Sequence, residues 1–312
     1  MRRWITVVLT LLPLLACGQN RQAGLSGQAG PEVPFWVTDP ADSLLAERIL
    51  TDLAPHAAEP VPALMVRAGK ALEGQPYVAG TLDEAPKGHT AGTRGGTTGW
   101  HEELRIYLTK TDCIIFVETC LALARTAAQG GDFRTFADEI RQSRYRDGRV
   151  ESYADRLHYT TEWGMQGEAR GVLINVTQEL GGIKLDHPIN YMSSHPDSYP
   201  LMDDVAAIRE AEDRINAEPR YYIPRNRLGD ALDGIRSGDI ICLVTSVKGL
   251  DISHVMMAVV ENGAVRLLHA STGPMKVVID PRTLPEYLAA RSSVTGIQVL
   301  RPQAFPQNGK NR

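Results

Sequence analysis

Apolar residues recur along this chain with two different periods, and the change from one to the other divides it. Over residues 40–72 they repeat at the three-to-four-residue spacing of an amphipathic helix, broken by prolines. Residues 111–128 carry the clearest helical pattern. Asp112 stands at the N-cap position, Ala, Leu and Glu fill the body, and one apolar face runs Phe116, Cys120, Leu123, Ala127. Residues 133–142 and 203–217 predict two further helices, and 104–109 alternate as a short strand would. Residues 145–200 are irregular, with many Tyr, His, Gly and Pro. Past residue 238 the apolar runs shorten to strand length: 239–245, 254–260, 265–270, 275–279 and 296–300, with a short helix over 284–290. Helices first and strands joined by short turns afterwards predict an α+β fold, with helices packed on a mostly antiparallel sheet.

The N-terminus reads differently. Arg2 and Arg3 precede an apolar run over 5–16 that is too short to span a bilayer, the pattern of a secretory signal peptide. The run closes on Leu14-Leu15-Ala16-Cys17, which resembles the bacterial lipobox. Residues 1–16 are therefore expected to be removed and Cys17 to carry lipid. Acyl chains anchor by burying methylenes at ~0.8 kcal/mol each, so several hold a protein firmly on a membrane. Residues 17–34, rich in Gly, Gln and Pro, read as a flexible tether, and 35–305 as a single catalytic domain. The expected location is the bacterial cell envelope, on the periplasmic or outer-membrane face. Among 312 residues, 43% are apolar and 22% charged, enough to build a core. The net charge is −4 and no basic block speaks for nucleic acid. A monomer is expected.

Cysteine usage narrows the chemistry. With Cys17 lipidated, Cys113, Cys120 and Cys242 remain, an odd number for an oxidising compartment, so at least one is a free thiol. Cys113 and Cys120 lie seven residues apart on one helix, about 10 Å at helical rise, whereas a disulfide needs under ~7 Å. Cys120 and Cys242 read as small buried apolar residues. Cys113 falls in the first helical turn, where free backbone N–H groups and the positive dipole end favour a thiolate. Farther on, Asn262-Gly263 between apolar runs marks a two-residue hairpin. In that register Glu261 opposes Ala264, Met256 opposes His269 and His254 opposes Ser271. His254 and His269 then share a face as diagonal neighbours, with backbones ~7–8 Å apart and imidazoles within reach. A slip of one residue would undo this. The set suits a triad in which Cys113 attacks, His254 takes its proton and His269 orients His254. The alternative, a metal held by the same three, lacks a closely spaced ligand pair; no metal or cofactor is expected.

At these positions the chain resembles a known family. Asp112-Cys113-Ile114-Ile115-Phe116-Val117-Glu118 resembles the nucleophile segment of NlpC-type, papain-like cysteine hydrolases, and Gly74-Gln75-Pro76-Tyr77 the Gly-x-Pro-Tyr segment before it. Gly238-Asp239-Ile240-Ile241, Ser253-His254-Val255 and Leu268-His269-Ala270 resemble that family's strand motifs, in order. Arg156-Leu157-His158-Tyr159, Ile189-Asn190-Tyr191-Met192 and Tyr222-Ile223-Pro224 resemble the N-acetylmuramoyl-L-alanine amidase-like branch. The resemblance implies an NlpC-type core with family-specific insertions. It also implies cleavage of the amide between N-acetylmuramic acid and L-alanine in peptidoglycan fragments, with preference for an anhydro sugar. It gives Cys113, His254 and His269 the triad roles. Two features depart from the pattern: an expanded Gly- and Thr-rich loop over 86–100, and Ile114 where a small polar residue is usual. A γ-D-glutamyl endopeptidase could use the same triad, and a catalytically silent wall-binding lipoprotein remains a third reading. Around the triad, Tyr77 either lends its hydroxyl near the oxyanion or packs in the core. The Cys113 N–H is a candidate oxyanion donor. Arg156, His158 and Trp163 suit a sugar–peptide groove or local bonding, Asp112 a cap or a substrate contact, and Ser253 a substrate contact beside the base.

Overall fold

Strand β1 (Val37–Thr38) pairs in parallel with β2 (Arg105–Ile106), the only paired part of the alternating segment 104–109. This computed structural model describes residues 34–83, 102–202 and 204–305. The expected signal peptide, Cys17 and the 86–100 loop lie outside the described residues. The prolines divide the first helical stretch into α1 (Pro40–Leu53) and α2 (Val61–Ala71), each with a proline in its first turn, where a missing N–H costs nothing. Helix α3 (Cys113–Gln129) starts at the Asp112 cap and ends on Gly130 in the left-handed conformation. It packs against α2, against α4 (Phe133–Arg144) and against the sheet, which is why it is buried on nearly every side. That burial carries Glu118 inside. Arg144 meets it there, with Nε and Nη2 at 2.8 and 2.6 Å from one carboxylate oxygen, and donates to the Arg105 carbonyl as well.

The middle of the chain holds more regular structure than its composition predicts. It contains α5 (Thr160–Ala169), β3 (Leu173–Asn175), β4 (Ile183–Lys184) and α6 (Tyr191–Ser194). Then follow α7 (Val205–Ala217), capped by Asp204, β5 (Tyr221–Pro224) and α8 (Leu228–Ala231). The strands then run in close succession: β6 (Ile240–Thr245), β7 (Ile252–Glu261), β8 (Ala264–Ser271) and β9 (Lys276–Thr283), then α9 (Leu284–Ala289) and β10 (Val294–Pro302). They form an antiparallel sheet in the order β4-β5-β10-β6-β7-β8-β9, with β3 on the end of β10. Helices α2 and α3 cover one face through Leu64, Phe116 and Leu123 against Cys242, Met257 and Leu268, with α1 and α4 packed on these helices. The other face packs Ile241, Leu243, Met256 and Leu267 under Leu284, Tyr287 and Leu288 of α9. Apolar cover on both faces explains why β6 is buried at every position and reads as a continuous run instead of alternating.

Candidate active site

Two elements carry the expected residues: Cys113 opens α3, and the β7–β8 hairpin carries His254 and His269. Cys113 is the first residue of α3, and Asp112 Oδ1 accepts the next two amides, Ile114 at 3.1 Å and Ile115 at 3.0 Å. The Gly-Gln-Pro-Tyr segment is tied alongside: Thr111 N–H donates to the Pro76 carbonyl, and Val78 N–H to that of Thr111. Across from them, α3 packs on β7, and the backbone N–H of Val255, one residue past His254, acts to lower the Cys113 thiol. Along β7 the ladder slips by one residue, with His254 opposite Leu243 and Ile252 opposite Val244. Ser253 is the extra residue of this β-bulge, the device that re-aims side chains beside functional sites. Its hydroxyl donates to the Leu243 carbonyl at 3.3 Å, which engages it in the bulge itself.

The hairpin register is as expected from Glu261–Ala264 to Met257–Leu268. Beyond that ladder the two histidines meet directly, His254 Nε2 and His269 Nδ1 standing 2.7 Å apart. His269 is fully buried and sits edge-on to Tyr287, 5.5 Å between ring centres. Burial pushes both imidazoles down, His254 to about 3 and His269 to about 4; the Asp280 carboxylate works in the opposite sense on His269. Both are therefore neutral at pH 7, the form a general base requires.

Cys113 departs from expectation. It is half-buried, and burial followed by the Asp112 charge pushes its thiol up to about 12; the N–H groups of Val255, Ile114 and Cys113 pull the other way and lose. The resting group is a thiol, not the thiolate that a helix start alone predicts. Tyr77 is half-buried with its hydroxyl pushed up, first by burial and then by the charges of Cys113 and Asp112, so it stands within electrostatic reach of the sulfur.

A cleft of about 160 Å³ opens beside Asp112, lined also by Ile114, Asp83, Arg156, His158 and Trp163. Each of the last three has a structural partner too. Arg156 grips Glu102 with Nε at 2.8 Å and Nη2 at 3.0 Å and reaches Asp83 at 3.2 Å. His158 bonds the Tyr153 carbonyl at 2.8 Å, and burial, then Arg156, holds it down to about 3. Trp163 is buried and donates to Ser143 at 3.3 Å. Sequence reasoning missed Asp280 behind His269; its signal was an acidic residue closing the apolar run Val277-Val278-Ile279.

Comparison with known proteins places the chain in a family. A family model described as AmiA-like, N-acetylmuramoyl-L-alanine amidase-like, matches residues 67–297. A solved N-acetylmuramoyl-L-alanine amidase from Bacteroides uniformis is 33% identical, with 78% of this chain and 99% of that one covered and a TM-score of 0.69. A Bacteroides fragilis structure described as a candidate xylanase is 35% identical, with 75% and 98% covered and a TM-score of 0.66. A Legionella pneumophila protein, 21% identical over 85% of this chain and 95% of its own, shares the fold at a TM-score of 0.63. No curated protein matches. The chain belongs to the AmiA-like family of N-acetylmuramoyl-L-alanine amidase-like proteins.

Proposed function

We propose that this family member is a cysteine amidase with an NlpC-type, papain-like core that cuts the bond between N-acetylmuramic acid and L-alanine in peptidoglycan fragments. The observation that carries the reading is the 2.7 Å imidazole pair on the hairpin whose Val255 backbone acts on the Cys113 thiol. His254 uses Nε2 toward His269, which leaves Nδ1 to take the thiol proton. The sulfur attacks the lactyl carbonyl carbon, and the Cys113 N–H receives the developing oxyanion. Collapse breaks the carbon–nitrogen bond, and His254 returns its proton to the departing L-alanine amine. Water, deprotonated by His254, then cleaves the thioester and frees the lactyl carboxylate, and His254 hands that proton to the departing Cys113 sulfur. With a neutral thiol and a neutral imidazole at rest, proton transfer accompanies attack instead of preceding it.

Tyr77 and the Asp112–Arg156–His158–Trp163 cleft lie where sugar and peptide would be held, and Ser253 borders the base. An anhydro sugar is the preferred end group on this reading. A glycosidase would need two free carboxylates across the cleft. Here Asp112 caps α3, Arg144 holds Glu118 and Arg156 holds Asp83, so none is disengaged. The lipid on Cys17 would keep a monomer at the envelope, close to its fragments. Mass spectrometry of products from a defined muramyl peptide tests the bond. Intact peptide beginning at L-alanine together with free muramic acid supports the proposal; release of L-Ala-D-Glu would make the protein an endopeptidase and overturn it.

A further inference from the structure

One buried atom behind the base has no hydrogen-bond partner: Nε2 of His269, in a residue with no exposure at all. Such atoms are rare enough in folded proteins to require a reason. Asp280 Oδ2 stands 3.8 Å from it, too far for a hydrogen bond and close enough for a charge to act. Asp280 is itself buried, on β9 beside β8. Its carboxylate is clamped by Arg282, with Nε at 2.9 Å and the backbone N–H at 3.0 Å from Oδ1, and Nη2 at 2.7 Å from Oδ2. The clamp keeps it ionised, since Arg282 holds its carboxyl below the usual range. Arg282 and Arg291 also lie over the Tyr287 ring, which packs on His269. The charged groups around the pair are thus Asp280 and Arg282 from β9 and Arg291 after α9.

We propose that Asp280 is a positioning residue that fixes the proton arrangement of both imidazoles. This deepens the triad reading and rests on it. A carboxylate facing His269 Nε2 favours the tautomer with its hydrogen there. Nδ1 of His269 is then an acceptor, so the proton in the 2.7 Å contact belongs to His254 Nε2. His254 is left with a bare Nδ1, the form that can accept the Cys113 proton. When His254 becomes imidazolium, the same anion is in place to stabilise it. The 3.8 Å separation suits this, because catalytic hydrogen bonds often tighten only once charge develops.

The decisive substitution is Asp280→Asn. Arg282 would hold the amide oxygen and turn the NH2 toward His269, reversing the preferred tautomer, as the Asp-to-Asn change does in serine-protease triads. Imidazole 15N chemical shifts of the histidine-labelled full chain read the tautomers without turnover. In the wild type they should show His254 and His269 both protonated at Nε2. Asp280→Asn should move the His254 proton off Nε2 and lower kcat about 10²-fold with KM within about twofold and the melting temperature nearly kept; Asp280→Glu should recover part of the rate. A wild-type His269 unprotonated at Nε2 overturns the proposal, as does an unchanged 15N pattern in Asp280→Asn. Cys113→Ala separates the two levels. Turnover by that variant would remove the triad reading, whereas its inactivity beside a fully active Asp280→Asn would remove the role of Asp280 alone.

Discussion

Cys113 sits between a helix end that favours its anion and a buried carboxylate neighbour that opposes it. The opposition wins because burial comes first among the causes that raise its thiol to about 12. Alkylation of the free protein by iodoacetamide at pH 7 should therefore be slower than that of a model thiol and should keep rising with pH; a rate plateau below pH 7 would show a stable thiolate instead. Asp112→Asn removes the opposing charge while an Asn still caps the helix, so it should speed alkylation. Asp112 carries its own signature. Burial raises its carboxyl to about 6, above the value of ~3.9 in an unfolded chain. The folded state thus binds the extra proton, and stability should fall as pH rises from about 4 to 6. Urea midpoints across that range should show this slope in the wild type and lose it in Asp112→Asn; identical slopes would refute the assignment. The Asp-Cys pair was legible in the sequence, but its balance was not, because the spacing of residues along a helix says nothing of how deeply its first turn is buried.

At the scale of elements, the β7–β8 hairpin delivers the histidines, and a bulge trims their aim. Asn262-Gly263 set the register, with Asn262 at φ 52° and Gly263 at φ 76°, and that much was readable from two residues. The bulge at Ser253 was not, since a single extra residue leaves the apolar pattern of β7 intact. Nor were β3 and β5: each is short and gains its order by pairing with β10, a partner far along the chain. The Gly238-Asp239 motif proves to be architectural. Gly238 adopts φ 89°, and a Cβ there would come within 2.5 Å of the Pro62 carbonyl oxygen at the start of α2. Asp239 is buried in a two-pronged contact with Arg301, both distances 2.8 Å. Gly238→Ala should cost roughly 2 kcal/mol of stability, read from urea denaturation, with kcat of the folded fraction unchanged. A loss of kcat without loss of stability would place that motif in the chemistry instead.

On the scale of the whole molecule, the sheet divides two apolar cores, and the cleft opens beside the helix start where α3, α4 and the middle segment converge. The α+β layering followed from the order of helix-period and strand-period segments. What the sequence hid were the polar ties that span long separations, such as Arg156 with Glu102, because no local pattern pairs residues 54 positions apart. Glu118 with Arg144 is another such tie, both side chains nearly without exposure. Glu118→Ala should cost about 3–5 kcal/mol, since it strands a buried guanidinium; a loss under about 1 kcal/mol in a urea titration would mean that water reaches Arg144. The proposed chemistry turns on one sulfur atom. Its most direct test is the rate at which purified wild type and Cys113→Ala release intact peptide from a defined muramyl peptide, with both proteins shown to be folded. The wild type should turn over and the variant should release no peptide, whereas equal rates would contradict cysteine catalysis at this site.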